Sequence, residues 1–118
     1  MSDARTRFVH DREHASVPSR AQRRVVDGTG LTSKADLIDA IARALAFPDY
    51  CGRNWDAFEE CLREVGEAID GDLVLEITST DVARRSLPAD MTLLADVWSD
   101  AAAWVAGNGG GELHLVLS

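Results

Sequence analysis

Two periods of apolar residues alternate along this chain, and each predicts a different element. Arg23-Arg24-Val25-Val26-Asp27 reads as a first strand, stopped by Gly28. Leu37, Ile38, Ile41 and Leu45 then recur at helical spacing. Thr32 or Ser33 is the predicted N-cap of that helix, and Ser33 with Asp36 resembles a capping box. Pro48 is predicted to end it, because proline disfavours α geometry at the residue before it. A short loop leads to a second helix, predicted over 54–65. Its apolar positions Trp55, Phe58, Leu62 and Val65 make one stripe to be buried. Asp56, Glu59, Glu60, Arg63 and Glu64 fall on the opposite face, and Asn54 is a good N-cap.

Residues 73–77 are nearly continuous in apolar residues and predict a central strand. Ser79 or Thr80 is expected to cap a short helical stretch through Arg85, closed by Pro88. A long helix is predicted over 89–106, with Leu94, Val97, Trp98, Ala101 and Val105 facing inward. Asn108-Gly109-Gly110-Gly111 stops it, and 113–117 is the last strand. Residues 1–22 lack sustained periodicity; they read either as a basic arm or as an extra edge segment around Arg7-Phe8-Val9-His10. Strands separated by helical crossovers imply a parallel sheet. The predicted fold is therefore α/β, a small three-stranded parallel sheet packed with about four helices, with the domain at 23–118.

Charge changes this picture from architecture to surface. The 118 residues hold 20 Asp+Glu against 12 Lys+Arg, a net charge of −8. An acidic chain is a poor direct binder of nucleic acid, which needs cations to displace phosphate counterions. The charge is also uneven: residues 1–24 carry +3 and the remainder −11. The stretch 49–76 alone holds nine acids opposed only by Arg53 and Arg63. A cationic partner would account for that concentration.

Other chemistry is thin. Cys51 and Cys61 lie ten residues apart, and one bridge is possible but not forced. With no apolar h-region at the start and no 18-residue apolar run, the chain reads as cytoplasmic, off the membrane, with reduced thiols. His10 and His14 read as an ordinary solvated pair, and His114 as a residue on the sheet surface. No metal and no cofactor are expected. Asp27-Gly28-Thr29-Gly30 lacks the Lys and spacing of a phosphate loop and reads as a strand-to-helix turn needing positive φ. No nucleophilic triad is supported around Cys51. Exposed i,i+4 acids on one helix do not suggest paired-carboxylate catalysis, so an enzyme is not expected.

The segment Phe47-Pro48-Asp49-Tyr50-Cys51-Gly52-Arg53-Asn54-Trp55-Asp56-Ala57-Phe58 resembles the barstar family, which carries Pro-acid-Tyr-x-Gly-x-Asn-apolar-Asp-Ala-apolar here. Leu73-Val74-Leu75-Glu76 is similar to the family's middle strand and Leu115-Val116-Leu117-Ser118 to its ending. The resemblance covers about 23–118. It implies inhibition of a small basic ribonuclease whose active site is plugged by an acidic helix and the loop before it. By motif, Tyr50 is an aromatic contact, Gly52 lets the loop backbone approach the partner, Asn54 holds the loop and helix start, and Asp56 faces the nuclease. Glu60 falls where the prototype has an aspartate that enters the active site. Glu59 replaces a tryptophan and Trp55 an aliphatic residue. Asp100 matches an interface acid on the last helix. The implied partner is a basic extracellular-type ribonuclease or a toxin nuclease domain, bound in an immunity or antitoxin-type role by a chain that is a monomer when free. The alternative is a regulator or scaffold of the same fold that binds another basic protein without inhibiting it; the departures at Glu59 and Glu60 point to it.

Overall fold

A computed structural model describes the backbone of Phe8–Val9 and residues 21–118. His10, His14 and the rest of the first twenty residues lie outside the described residues. The elements run β1 (Phe8–Val9), β2 (Gln22–Asp27), α1 (Lys34–Ala44), α2 (Trp55–Ala68), β3 (Leu73–Thr78), α3 (Asp81–Ser86), α4 (Pro88–Gly107) and β4 (Leu113–Leu117). The three long strands form a parallel sheet with β3 in the middle, and the two-residue β1 pairs in parallel with the outer side of β4. This is the expected α/β sheet with four helices.

Strand alternation sends Leu73, Leu75 and Ile77 of β3 and Leu113, Leu115 and Leu117 of β4 to one face. All six are buried in a core shared with Leu37 and Ile41 of α1, Phe58 and Leu62 of α2, and Leu94, Trp98 and Val105 of α4. Fully burying one such side chain stabilises by roughly 1.5–3 kcal/mol. The predicted stripes thus hold the helices down, except that Val65 and Val97 are only half-buried and Cys61, Gly66, Met91 and Ala102 are buried beside them.

Several element ends have causes other than those the sequence suggested. Ser33 caps α1 as expected, accepting from the Asp36 amide at 3.0 Å. The helix stops before Pro48 can act: Ala46 takes φ +56°, and the amides of Ala46 and Phe47 bond the carbonyls of Arg43 and Ala42. That reversal satisfies carbonyls the helix leaves open, with alanine where glycine is usual. Pro88 opens α4 at its first turn, where its missing N–H costs nothing. The Thr80 side chain does not cap α3; its hydroxyl donates to the Ser118 carbonyl at 2.8 Å. Gly28 begins a short 3-10 turn for want of room rather than for a positive φ: a Cβ there would meet the Thr78 carbonyl of the neighbouring strand. His114 is 1% exposed, and Val74 and Val116 on the same face of the strands are buried with it, so its expected place on the surface is corrected. Among the described residues, no helix is long and apolar enough to cross a membrane.

Candidate partner-binding site

The acidic stretch becomes a loop over 49–54 followed by the first turns of α2. Asn54 starts the helix. Its backbone is extended, and its side chain accepts from the Ala57 amide at 2.8 Å. One of the orphan amides of the first turn is thereby satisfied. Asp56 lies in that turn, where the helix dipole favours a carboxylate.

Beneath the loop is a row of aromatic rings. Phe47 meets Phe58 edge-on at 5.4 Å, and Phe58 meets Trp55 edge-on at 5.2 Å. Trp55 is 9% exposed, and its indole N–H donates to Asp90 Oδ1 of α4 at 3.0 Å. It therefore fixes the start of α2 from inside and offers little surface to a partner.

Three ties then hold the loop. The Tyr50 hydroxyl donates to Glu64 Oε1 at 2.6 Å, a bond that raises the tyrosine pKa and keeps the hydroxyl protonated. Arg53 pairs with Asp39 of α1 at 2.9 Å. Cys51 and Cys61 form a disulfide, so the expectation of reduced thiols is corrected. The cause lies in the path of the loop, which runs back along α2 and brings the two Cα atoms within 6.6 Å, a separation a bridge can span. The exposed Arg53–Asp39 pair is worth about 0–1 kcal/mol. The covalent tie and the ring row are therefore the stronger restraints on the loop.

The acids divide into two sets. Glu59 is bound to Arg63 at 2.6 Å, and the Arg63 guanidinium lies 5.2 Å from the ring of Trp104 on α4. Glu64 is engaged by Tyr50. In contrast, Asp49, Asp56 and Glu60 are exposed, and no ion pair or hydrogen bond joins their side chains to other described residues. Asp56 and Glu60 stand one helical turn apart, so two carboxylates project together.

Tyr50 is 72% exposed beside them, a large aromatic left in water. Gly52 is exposed as well, and a Cβ there would crowd the Asn54 amide nitrogen at 3.1 Å. The structure thus brings Tyr50, Gly52, Asn54, Asp56, Glu59 and Glu60 to one loop and helix start. Asp100 is exposed on α4, and no hydrogen bond or ion pair ties it to that group among the described residues. Sequence reasoning missed four supporting residues: Asp39, Glu64, Asp90 and Trp104. Each acts across elements, and only the acidic spacing of Glu64 carried any local signal.

Rigid presentation of unpaired carboxylates and one aromatic suits recognition of a cationic protein surface. Residues 21–118 match the family model described as Barstar (barnase inhibitor). No curated protein matches the chain. The matched span takes in the whole described sheet except β1, all four helices and the acidic loop, so the chain belongs to the barstar family, whose members are ribonuclease inhibitors rather than enzymes.

Proposed function

We propose that this protein inhibits a cognate basic ribonuclease by plugging its active site with the 49–54 loop and the first turns of α2. The observation that carries the proposal is the pair Asp56 and Glu60, exposed, unpaired among the described residues and one turn apart beside an exposed Tyr50. A ribonuclease must bind phosphate, so its active site is cationic. Carboxylates held on a rigid helix take the phosphate positions and form charge-assisted bonds to Arg, Lys and His there. Because the loop is already tied down, little conformational entropy is lost on docking. Tyr50 supplies apolar contact, Gly52 lets the partner reach the loop backbone, and Asn54 and Trp55 keep the helix start in place. Glu59 acts through Arg63 rather than as a free charge. Asp100 adds negative charge from α4. The setting is that of an immunity protein or antitoxin, which shields its own cell from the nuclease.

The second reading, a scaffold for a different basic protein, rests on the Glu59–Arg63–Trp104 cluster. It places a cation and an aromatic beside the acidic face, an arrangement that selects a partner of its own.

Affinity capture from the native cell on the immobilised protein tests both readings. The expected result is a basic nuclease whose activity on RNA falls to zero at one equivalent of inhibitor. Capture of a basic protein with no nuclease activity supports the second reading. A captured nuclease that stays fully active in excess inhibitor overturns the first.

A further inference from the structure

Away from the acidic loop, the start of the β3–β4 strand pair gathers three metal-ligating side chains. Asp72 immediately precedes β3 and Glu112 immediately precedes β4. The register pairs Leu73 with Leu113, so Asp72 and Glu112 stand opposite each other one step earlier. His114, two residues beyond Glu112, points to the same side of the sheet. The Asp72 carboxylate accepts the Glu112 amide at 2.7 Å, and Glu112 Oε1 lies 3.2 Å from His114 Nε2. One ligand atom from each of the three residues falls within 4.8 Å of the others. A Cβ on Gly111 would run into the Gly71 carbonyl and lie 2.8 Å from Asp72 Oδ1, so glycine leaves room for this carboxylate.

From this we infer that Asp72, Glu112 and His114 form a binding site for a divalent metal ion of the zinc class, contrary to the sequence reading that no metal is bound. Like charges directly opposite across two strands repel. No Lys or Arg forms an ion pair with Asp72 or Glu112 among the described residues. A divalent ion relieves that repulsion and takes the imidazole nitrogen as a third ligand. The donor set selects the ion: one nitrogen with carboxylate oxygens suits zinc, whereas calcium and magnesium favour all-oxygen shells. Zinc bonds of about 2.0–2.2 Å put tetrahedral ligand atoms roughly 3.3–3.6 Å apart. Glu112 and His114 are already near that spacing, and the ligand atom of Asp72 lies within 4.8 Å of both. The amide held by Asp72 fixes its carboxylate, as supporting hydrogen bonds do at metal centres. His114 is 1% exposed, whereas the Glu112 side chain is 44% exposed. The ion would therefore sit at the rim with its fourth position open to water.

Calorimetric titration of the chelator-treated protein with zinc chloride at neutral pH tests the site. The disulfide is kept intact, so that free thiolates do not compete. A His10→Gln/His14→Gln background leaves His114 as the sole imidazole of the three in the chain. The expected result is saturable one-to-one binding with a rise in Tm. Glu112→Gln is expected to weaken binding by at least the roughly tenfold that loss of a supporting partner costs at a metal centre, and circular dichroism of the zinc-free variant checks that it is folded. In the wild-type chain the His114 ring-nitrogen NMR signals are expected to shift on adding zinc. Absence of saturable binding, undiminished binding by Glu112→Gln, or unmoved His114 signals would each overturn the proposal. None of these readouts depends on ribonuclease inhibition.

Discussion

Asp56, Glu59 and Glu60 are three acids within five residues, yet their surroundings assign them different work. Asp56 and Glu60 have no ion-pair partner among the described residues, while Glu59 has Arg63 at 2.6 Å. A partner cation that pairs with Asp56 or Glu60 loses that counter-charge when the carboxylate is removed. Asp56→Ala and Glu60→Ala are therefore each expected to weaken inhibition by more than about 2 kcal/mol, as for a buried charged pair stripped of one member. Glu59→Ala is expected to cost clearly less, since its charge is already neutralised at home. Inhibition constants of the three variants check this; equal losses at all three positions would refute the division. The spacing of the acids was legible in the sequence. Which of them is engaged was not, because engagement depends on where Arg63 and Trp104 lie once α2 packs on α4.

At the scale of the element, α2 is a helix whose start is specified locally and whose loop is fixed from afar. The side chain of Asn54 replaces water at the Ala57 amide. Asn54→Ala is expected to destabilise the protein by about 1 kcal/mol, seen as a lower urea midpoint at unchanged slope. An unchanged midpoint would mean the cap contributes nothing here. The cap, the apolar stripe and the Ser33 cap of α1 were all readable, since each involves residues within one or two turns. The Cys51–Cys61 bridge, the Tyr50–Glu64 bond and the Trp55–Asp90 bond were not. They join residues 10, 14 and 35 positions apart. The end of α1 shows the same limit: Pro48 was a sound local signal, but the chain had already turned at Ala46.

For the whole molecule, the net charge of −8 is a field as well as a composition. Steered association reaches about 10⁸–10⁹ M⁻¹s⁻¹ at low ionic strength, a range established on steered protein pairs that include the family prototype. If the acidic face meets a cationic active site, raising salt is expected to slow association with the nuclease steeply and change dissociation much less. Stopped-flow measurement across salt concentrations checks this, and salt-independent association would argue against steering. The sequence by itself determined the order of strands and helices, the parallel sheet, the family motif and the acidic excess over 49–76. Those follow from local periodicity, capping and charge, which need no knowledge of distant neighbours. Only the tertiary structure decided that Cys51 and Cys61 are paired, that Trp55 bonds Asp90, that His114 is buried beside two carboxylates, and which acids remain unpaired among the described residues. Each of these depends on contacts between elements, and such contacts exist only after the helices have closed over the sheet.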